Sequence, residues 1–295
     1  MKNVKAKTNE QIAMQVSANS IAVNLMLSIF KLIAGLLASS GAMISDAIHS
    51  ASDVFSTIIV IIGVKISGKA SDEDHPYGHD RFECVASIIL AILLGVTGVG
   101  IGLTGVQKLI AGHYDTLAIP GILALAAAVI SIVVKEIMYW YTRNAAKKIN
   151  SGALMADAWH HRSDALSSVG SFVGIFGGRM GFPMLDPLAS VVICLFVVKA
   201  AVDIFRDAIS KMTDRSCDQK TVNEMHDCIM NIRGVEGIDR LKTRSFGSKY
   251  YVDIEISADG NKKLWETHAI AENVHQAIEH QFPLVKHCMV HVNPA

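Results

Sequence analysis

The stretch that decides the fold is CVASIILAILLGVTGVGIGLTGVQ, residues 84–107, which runs from Cys84 to Gln107 without one charged side chain. The hydrocarbon core of a bilayer is about 30 Å thick and is crossed by roughly 20 residues of helix. The run is long enough to cross. It is also continuously apolar rather than alternating, so a helix and not a barrel strand is expected. Five further stretches have comparable length and apolar character, near 14–38, 42–67, 117–141, 153–177 and 187–210. Those at 42–67 and 153–177 each carry charge within the span.

Composition agrees with a membrane chain and locates its end. Over 295 residues, 51% are hydrophobic and only 18% charged, against about 25% charged in an ordinary soluble domain. Lys+Arg and Asp+Glu balance at 27 each, which gives no sign of a nucleic-acid binder. The charge is concentrated: 22 of these residues fall between Thr213 and Ala295. A transmembrane domain over 1–212 and a soluble domain over 213–295 are therefore expected. Five cysteines without a C-x-x-C pair support neither a disulfide framework nor a Cys-rich zinc site.

Orientation follows from Lys and Arg in the short connections. Lys2, Lys5 and Lys7 precede the first span, Lys69 and Arg81 follow the second, and Arg143, Lys147 and Lys148 follow the fourth. Arg206, Lys211 and Arg215 flank the end of the sixth, whereas the opposite side offers Lys108 and Arg179. Both termini are expected in the cytoplasm. The compact length, with no His-rich insert, fits a prokaryotic plasma membrane. Past Thr213 a helix over about 218–232 is predicted, then strands at 238–245 and 250–257, a helix at 264–282 and a strand at 286–292. In the second strand Val252, Ile254 and Ile256 alternate with Asp253 and Glu255, so one face is apolar. The order α-β-β-α-β predicts a small α+β domain with its helices on one face of the sheet.

Two spans share a polar cassette. Asp46-Ala47-Ile48-His49-Ser50-Ala51-Ser52-Asp53 matches Asp157-Ala158-Trp159-His160-His161-Arg162-Ser163-Asp164 as D-A-x-H-x-x-S-D. Residues four apart share a helix face, so His49 with Asp53, and His160 with Asp164, each form a two-ligand face. Packed together, the helices present two imidazoles and two carboxylates, a set suited to tetrahedral Zn²⁺ and usable by Cd²⁺ or Co²⁺. Structural hydrogen bonding between helices is the bland alternative. It has to outweigh a cost of roughly 2.5–3.5 kcal/mol for a central Asp, even on lenient insertion scales. Asp46 and Asp157 lie one turn earlier. They read as carboxylates that orient the histidines or line an access path, or as plain charges in the first turn of each helix.

With S-D-A-I-H-S-A-S-D at 45–53, H-P-Y-G-H-D-R-F-E at 75–83 and H-x-x-x-D at 160–164, the chain resembles the cation diffusion facilitators over essentially its whole length. The resemblance implies six spans and a C-terminal cytoplasmic domain of ferredoxin-like, metallochaperone-like fold. It also implies a homodimer formed through that domain and the membrane helices, which exports divalent transition metals in exchange for protons. The transport site carries over onto His49, Asp53, His160 and Asp164. A loop site carries over onto Asp72, His75 and His79, and a regulatory metal site in the C-terminal domain onto Asp239, Glu255, His268 and His291. Zn²⁺ is the expected cargo, with Cd²⁺ or Co²⁺ next and Fe²⁺ or Mn²⁺ as the alternative within the family. A non-transporting metal sensor is the competing role. No resident cofactor, nucleic-acid partner or enzymatic activity is expected: H-E-x-x-H is absent, and four protein ligands leave no open position on the ion.

Overall fold

The computed structural model describes residues 8–37, 41–111, 122–179 and 184–295. Six long helices come first: α1 (Asn9–Leu37), α2 (Gly41–Ser67), α3 (Phe82–Ala111), α4 (Ile122–Ile149), α5 (Gly152–Arg179) and α6 (Leu185–Met212). Each has 27 to 30 residues, about 40–45 Å of helix at 1.5 Å per residue and ample for a tilted crossing. Their outer surfaces are apolar, with Val96, Ile110, Leu195 and Phe196 all exposed. So large an apolar surface suits hydrocarbon rather than water.

Three of the helices, α1, α3 and α6, meet a strict standard of apolarity for a membrane span. The other three, α2, α4 and α5, are polar on the inside. Asp53 and Thr57 of α2, Lys135 and Thr142 of α4, and Asp157, His161 and Asp164 of α5 are all buried. Helix α1 packs on α2 and α4, α4 on α5, and α2 and α3 each on α5. The interior also holds an apolar cluster that includes Val60, Leu90, Leu94, Leu154 and Val197.

Small residues set the closest helix contacts. A Cβ on Gly98 would stand 2.8 Å from Val197 Cγ1, and one on Gly102 would overlap Cys194 Sγ, so α3 and α6 approach through these glycines. The Gly98-x-x-x-Gly102 spacing thus serves packing within one chain. On the same helix, a Cβ on Gly100 meets nothing within 4 Å.

The soluble part follows the expected order. Helix α7 (Gln219–Met230) begins at Asp218, whose side chain accepts from the Thr221 N–H as its N-cap. Strands β1 (Gly237–Phe246) and β2 (Lys249–Ala258) pair antiparallel around Gly247, which takes φ +65°. Helix α8 (Leu264–Gln281) then returns the chain to β3 (Val285–Pro294), parallel to β2, for a sheet order β1-β2-β3. Val252, Ile254 and Ile256 meet Met225, Ile229, Ile270, Val274 and Ile278 in one core, so both helices cover the same face of the sheet.

Gly102→Ala is expected to lower thermal stability, by about 1–3 kcal/mol for overpacking. Gly100→Ala is expected to leave it unchanged or raise it by roughly 0.5–1 kcal/mol through helix propensity. Melting of the purified protein in detergent checks the contrast, and equal shifts would rule out glycine-mediated α3–α6 contact.

Candidate metal centres

Two groups of ligating side chains converge among the described residues: Asp53 with His160 and Asp164, and Asp72 with His75 and His79. In the first, α2 contributes Asp53 and α5 contributes His160 and Asp164, one turn apart. One ligand atom from each lies within 4.8 Å of the other two, a span that one ion can bridge with bonds of about 2.0–2.4 Å. His160 Nε2 is 3.5 Å from Asp53 Oδ1. Both carboxylates are buried. Asp46 and His49 belong to α2, but their side chains lie outside the described residues; the cassette's second imidazole is therefore placed only by its position one turn before Asp53.

A lysine stands where the two carboxylates face each other. Lys135 of α4 donates from Nζ to Asp53 Oδ2 at 2.6 Å and to Asp164 Oδ2 at 2.9 Å, and the residue is 1% exposed. These three side chains, with Lys31, Ser50, Ser131, Ser167 and Ser168, line a cavity of about 40 Å³. Lys31 is also buried and donates to Ser50 Oγ at 2.8 Å. Neither lysine was singled out in the sequence. The signal was available, because an ionisable residue inside a span is a functional candidate by default.

Of the readings offered for Asp157, the structure removes one. The residue lies in the second turn of α5 and is fully buried, so it is not a first-turn charge. Its Oδ1 accepts from Thr57 of α2 at 3.2 Å, and its Oδ2 is 3.5 Å from His161 Nε2. Asp157 thus sits against His161, one residue beyond the histidine of the cassette. Asp157 and Thr57 link the two cassette helices beside the ligand group rather than within it.

The second group is built by a tight connection after α2. The His75 backbone N–H donates to Asp72 Oδ1 at 2.7 Å, and the His75 carbonyl accepts from the Gly78 N–H, where φ is +89°. That turn brings the two imidazoles to 4.4 Å between ring centroids. His79 Nδ1 is 3.1 Å from the Ala70 carbonyl. A carbonyl only accepts, so Nδ1 donates there and Nε2 is the nitrogen left to meet a partner. Nε2 faces Asp72 Oδ2 at 3.3 Å. A proton or a metal ion can bridge that pair. The His75 backbone N–H, with the neighbouring histidines, holds the Asp72 carboxyl below its ordinary value and keeps it available as an anionic ligand.

The C-terminal candidates do not converge within one chain. Asp239 is the extra residue at an irregularity in β1, between Ile238 and Arg240, and accepts from Asn293 Nδ2 at 2.8 Å. Glu255 pairs with Arg240 at 3.0 Å and lies beside His291 in register. Its side chain alternates with Ile254 and Ile256, so it faces away from the helices. His268 is exposed on α8, which covers the other face. An ion shared by Glu255 and His268 would have to involve more than one chain.

Comparison with known proteins covers nearly the whole length. Residues 17–213 match the family model of the cation efflux transmembrane domain, and residues 217–295 that of the cation efflux protein, cytoplasmic domain. The chain is 32% identical to the manganese efflux system protein MneP of Bacillus subtilis, over 98% of each protein. It is 38% identical to an uncharacterized transporter of Methanocaldococcus jannaschii, over 93% of this chain and 95% of that one. It is 34% identical to metal tolerance protein C1 of Arabidopsis thaliana, over 91% of this chain and 60% of that longer protein.

The loop geometry leads to a measurable outcome. Asp72→Ala and His79→Ala are each expected to remove about one bound zinc per chain in equilibrium dialysis, weakening the loop by 100-fold or more, on the order of 3 kcal/mol. Unchanged stoichiometry in both variants would make the loop a solvated connector.

Proposed function

Because this chain belongs to the cation efflux, or cation diffusion facilitator, family of membrane metal transporters, we propose that the group formed by Asp53, His160 and Asp164 is the stopping point of a divalent transition metal on its way out of the cytoplasm. The observation that carries the reading is the convergence of two buried carboxylates and a partly buried imidazole from α2 and α5, inside helices long enough to cross a bilayer. Isolated charges there are costly, and a divalent ion supplies the counter-charge. His49, one turn before Asp53 on α2, completes a four-ligand set with two nitrogens and two oxygens. That composition favours Zn²⁺, with Cd²⁺ and Co²⁺ close behind.

Export is coupled to protons in this proposal through competition at the same atoms. Neutral imidazole and ionised carboxylate bind the ion, and protonation from the far side weakens them and releases it. Both termini lie in the cytoplasm, as the Lys and Arg distribution supports. The working unit is a homodimer of full chains, with the soluble domains as one contact. The loop of Asp72, His75 and His79 captures metal on the cytoplasmic side. Asp239, Glu255, His268 and His291 form regulatory metal sites between chains.

Manganese export is the second reading, favoured by the oxygen donors of Asp53 and Asp164 and by similarity to a protein named for manganese efflux. The two readings part in proteoliposomes with an imposed pH gradient and a metal-sensitive dye inside. Zn²⁺ flux is expected to exceed Mn²⁺ flux by tenfold or more at equal concentration, a difference of about 1.4 kcal/mol. Asp53→Ala and His160→Ala are each expected to bring Zn²⁺ flux down to the background of empty liposomes. Full pH-driven flux in either variant would overturn the assignment of the site.

A further inference from the structure

We infer that the Lys135 ammonium is a tethered competitor for the transport site, holding Asp53 and Asp164 when no metal is bound and giving way when a divalent ion arrives. The inference rests on the assignment of those carboxylates to metal transport and adds a residue from a third helix to it. Nζ bonds one oxygen of each carboxylate, at 2.6 and 2.9 Å. An ion bridging Asp53 and Asp164 would have to share these two carboxylates with a positive charge already at hydrogen-bond distance from both, so ammonium and metal oppose each other there.

Burial explains why a competitor is useful. Two carboxylates facing each other away from water repel, and each carries a desolvation penalty of several kcal/mol. An empty site without a fixed cation would therefore take up stray cations or protons, or come apart. Lys135, with Lys31 lining the same cavity, offsets the two carboxylates, so a divalent ion enters as Lys135 gives up its bonds to them. The lysine side chain is a flexible four-carbon stem bearing a compact charge, which allows Nζ to leave the carboxylates without movement of α4.

The structure also supplies a place for the displaced group. The cavity of about 40 Å³ that Asp53, Lys135 and Asp164 themselves line extends to the hydroxyls of Ser50, Ser131, Ser167 and Ser168, and it exceeds the roughly 10–15 Å³ that a water needs. Lys31 lines the same cavity. A displaced Lys135 thus moves toward a like charge, which drives it back to the carboxylates once the ion leaves. A tether makes the competitor's local concentration millimolar or higher, so the site binds more weakly than its ligands alone would dictate. Weak binding is what release requires.

The test is metal affinity of the purified full-length chain, measured by calorimetric titration with Zn²⁺ in detergent, for native protein, Lys135→Gln, Lys135→Arg and Asp164→Ala. The expected result is that Lys135→Gln binds at least tenfold more tightly than native and turns over more slowly in proteoliposomes. A destabilised fold would weaken binding, so a gain in affinity is not a sign of structural damage. Lys135→Arg keeps a cation with a two-pronged grip on carboxylates and is expected to bind at least threefold more weakly than native. Affinity of Lys135→Gln within twofold of native would overturn the inference. Should that variant fail to fold, Lys135→Arg decides, and affinity equal to or tighter than native would overturn it. If Asp164→Ala leaves the native affinity intact, the transport-site assignment falls and the inference with it. An intact effect of Asp164→Ala beside an inert Lys135→Gln removes the inference alone.

Discussion

Two carboxylates from different helices, Asp53 and Asp164, are held together in the interior of a membrane bundle by one lysine from a third. Most of the molecule's organisation can be traced to this contact. Helices α2, α4 and α5 must bring polar faces together, because each charge would be ruinous against lipid. They cannot be uniformly apolar, and they meet hydrocarbon through their opposite faces, where Phe55, Ile62, Val133 and Ile137 are exposed, as α3 and α6 do through Val96, Leu195 and Phe196. Close packing of α3 on α6 through Gly98 and Gly102, and of α3 on α5, sets apolar contacts beside the charged interior.

The same contact gives a physical account of how a site can attract a cation and still let it go. Two anionic oxygen ligands and an imidazole would bind a transition metal tightly if they stood ready and empty. Here they are already engaged. In the proposed site, metal binding would exchange one set of charge-assisted bonds for another, and the net free energy would be a small difference between large terms. Transport needs that condition, because an ion bound with the full strength of its ligands would stay. Thr57 and Asp157, bonded across α2 and α5 next to the site, tie the two ligand helices together and link their relative position to the spacing of the ligands.

Much of this was legible in the sequence, for definite reasons. The uncharged run at 84–107 and its five counterparts state the number of spans, because the hydrocarbon thickness allows little else of that length. The alternation at Val252, Ile254 and Ile256 gave the apolar face of β2, and the repeated H-x-x-x-D spacing put His160 and Asp164 on one helix face. What escaped has a common cause. Lys135 and Lys31 lie in stretches judged by average hydropathy, where one lysine among aliphatic residues is diluted. Their partners are 82 and 19 residues away in the chain, so no local pattern announces them. His161 was hidden by its neighbour His160, since adjacent histidines point to different faces of a helix and only packing shows which partner each one meets. The C-terminal candidates Glu255 and His268 show the converse: resemblance gathers them, and the sheet puts them on opposite faces of a single chain.

The account is tested most directly by anomalous diffraction at the zinc edge from crystals of the full-length chain soaked with Zn²⁺. The expected result is a peak bonded to Asp53, His160 and Asp164, with Lys135 Nζ withdrawn toward the serine-lined cavity. Peaks confined to the Asp72–His79 loop and the soluble domain, with Lys135 still bridging both carboxylates at saturating zinc, would contradict it.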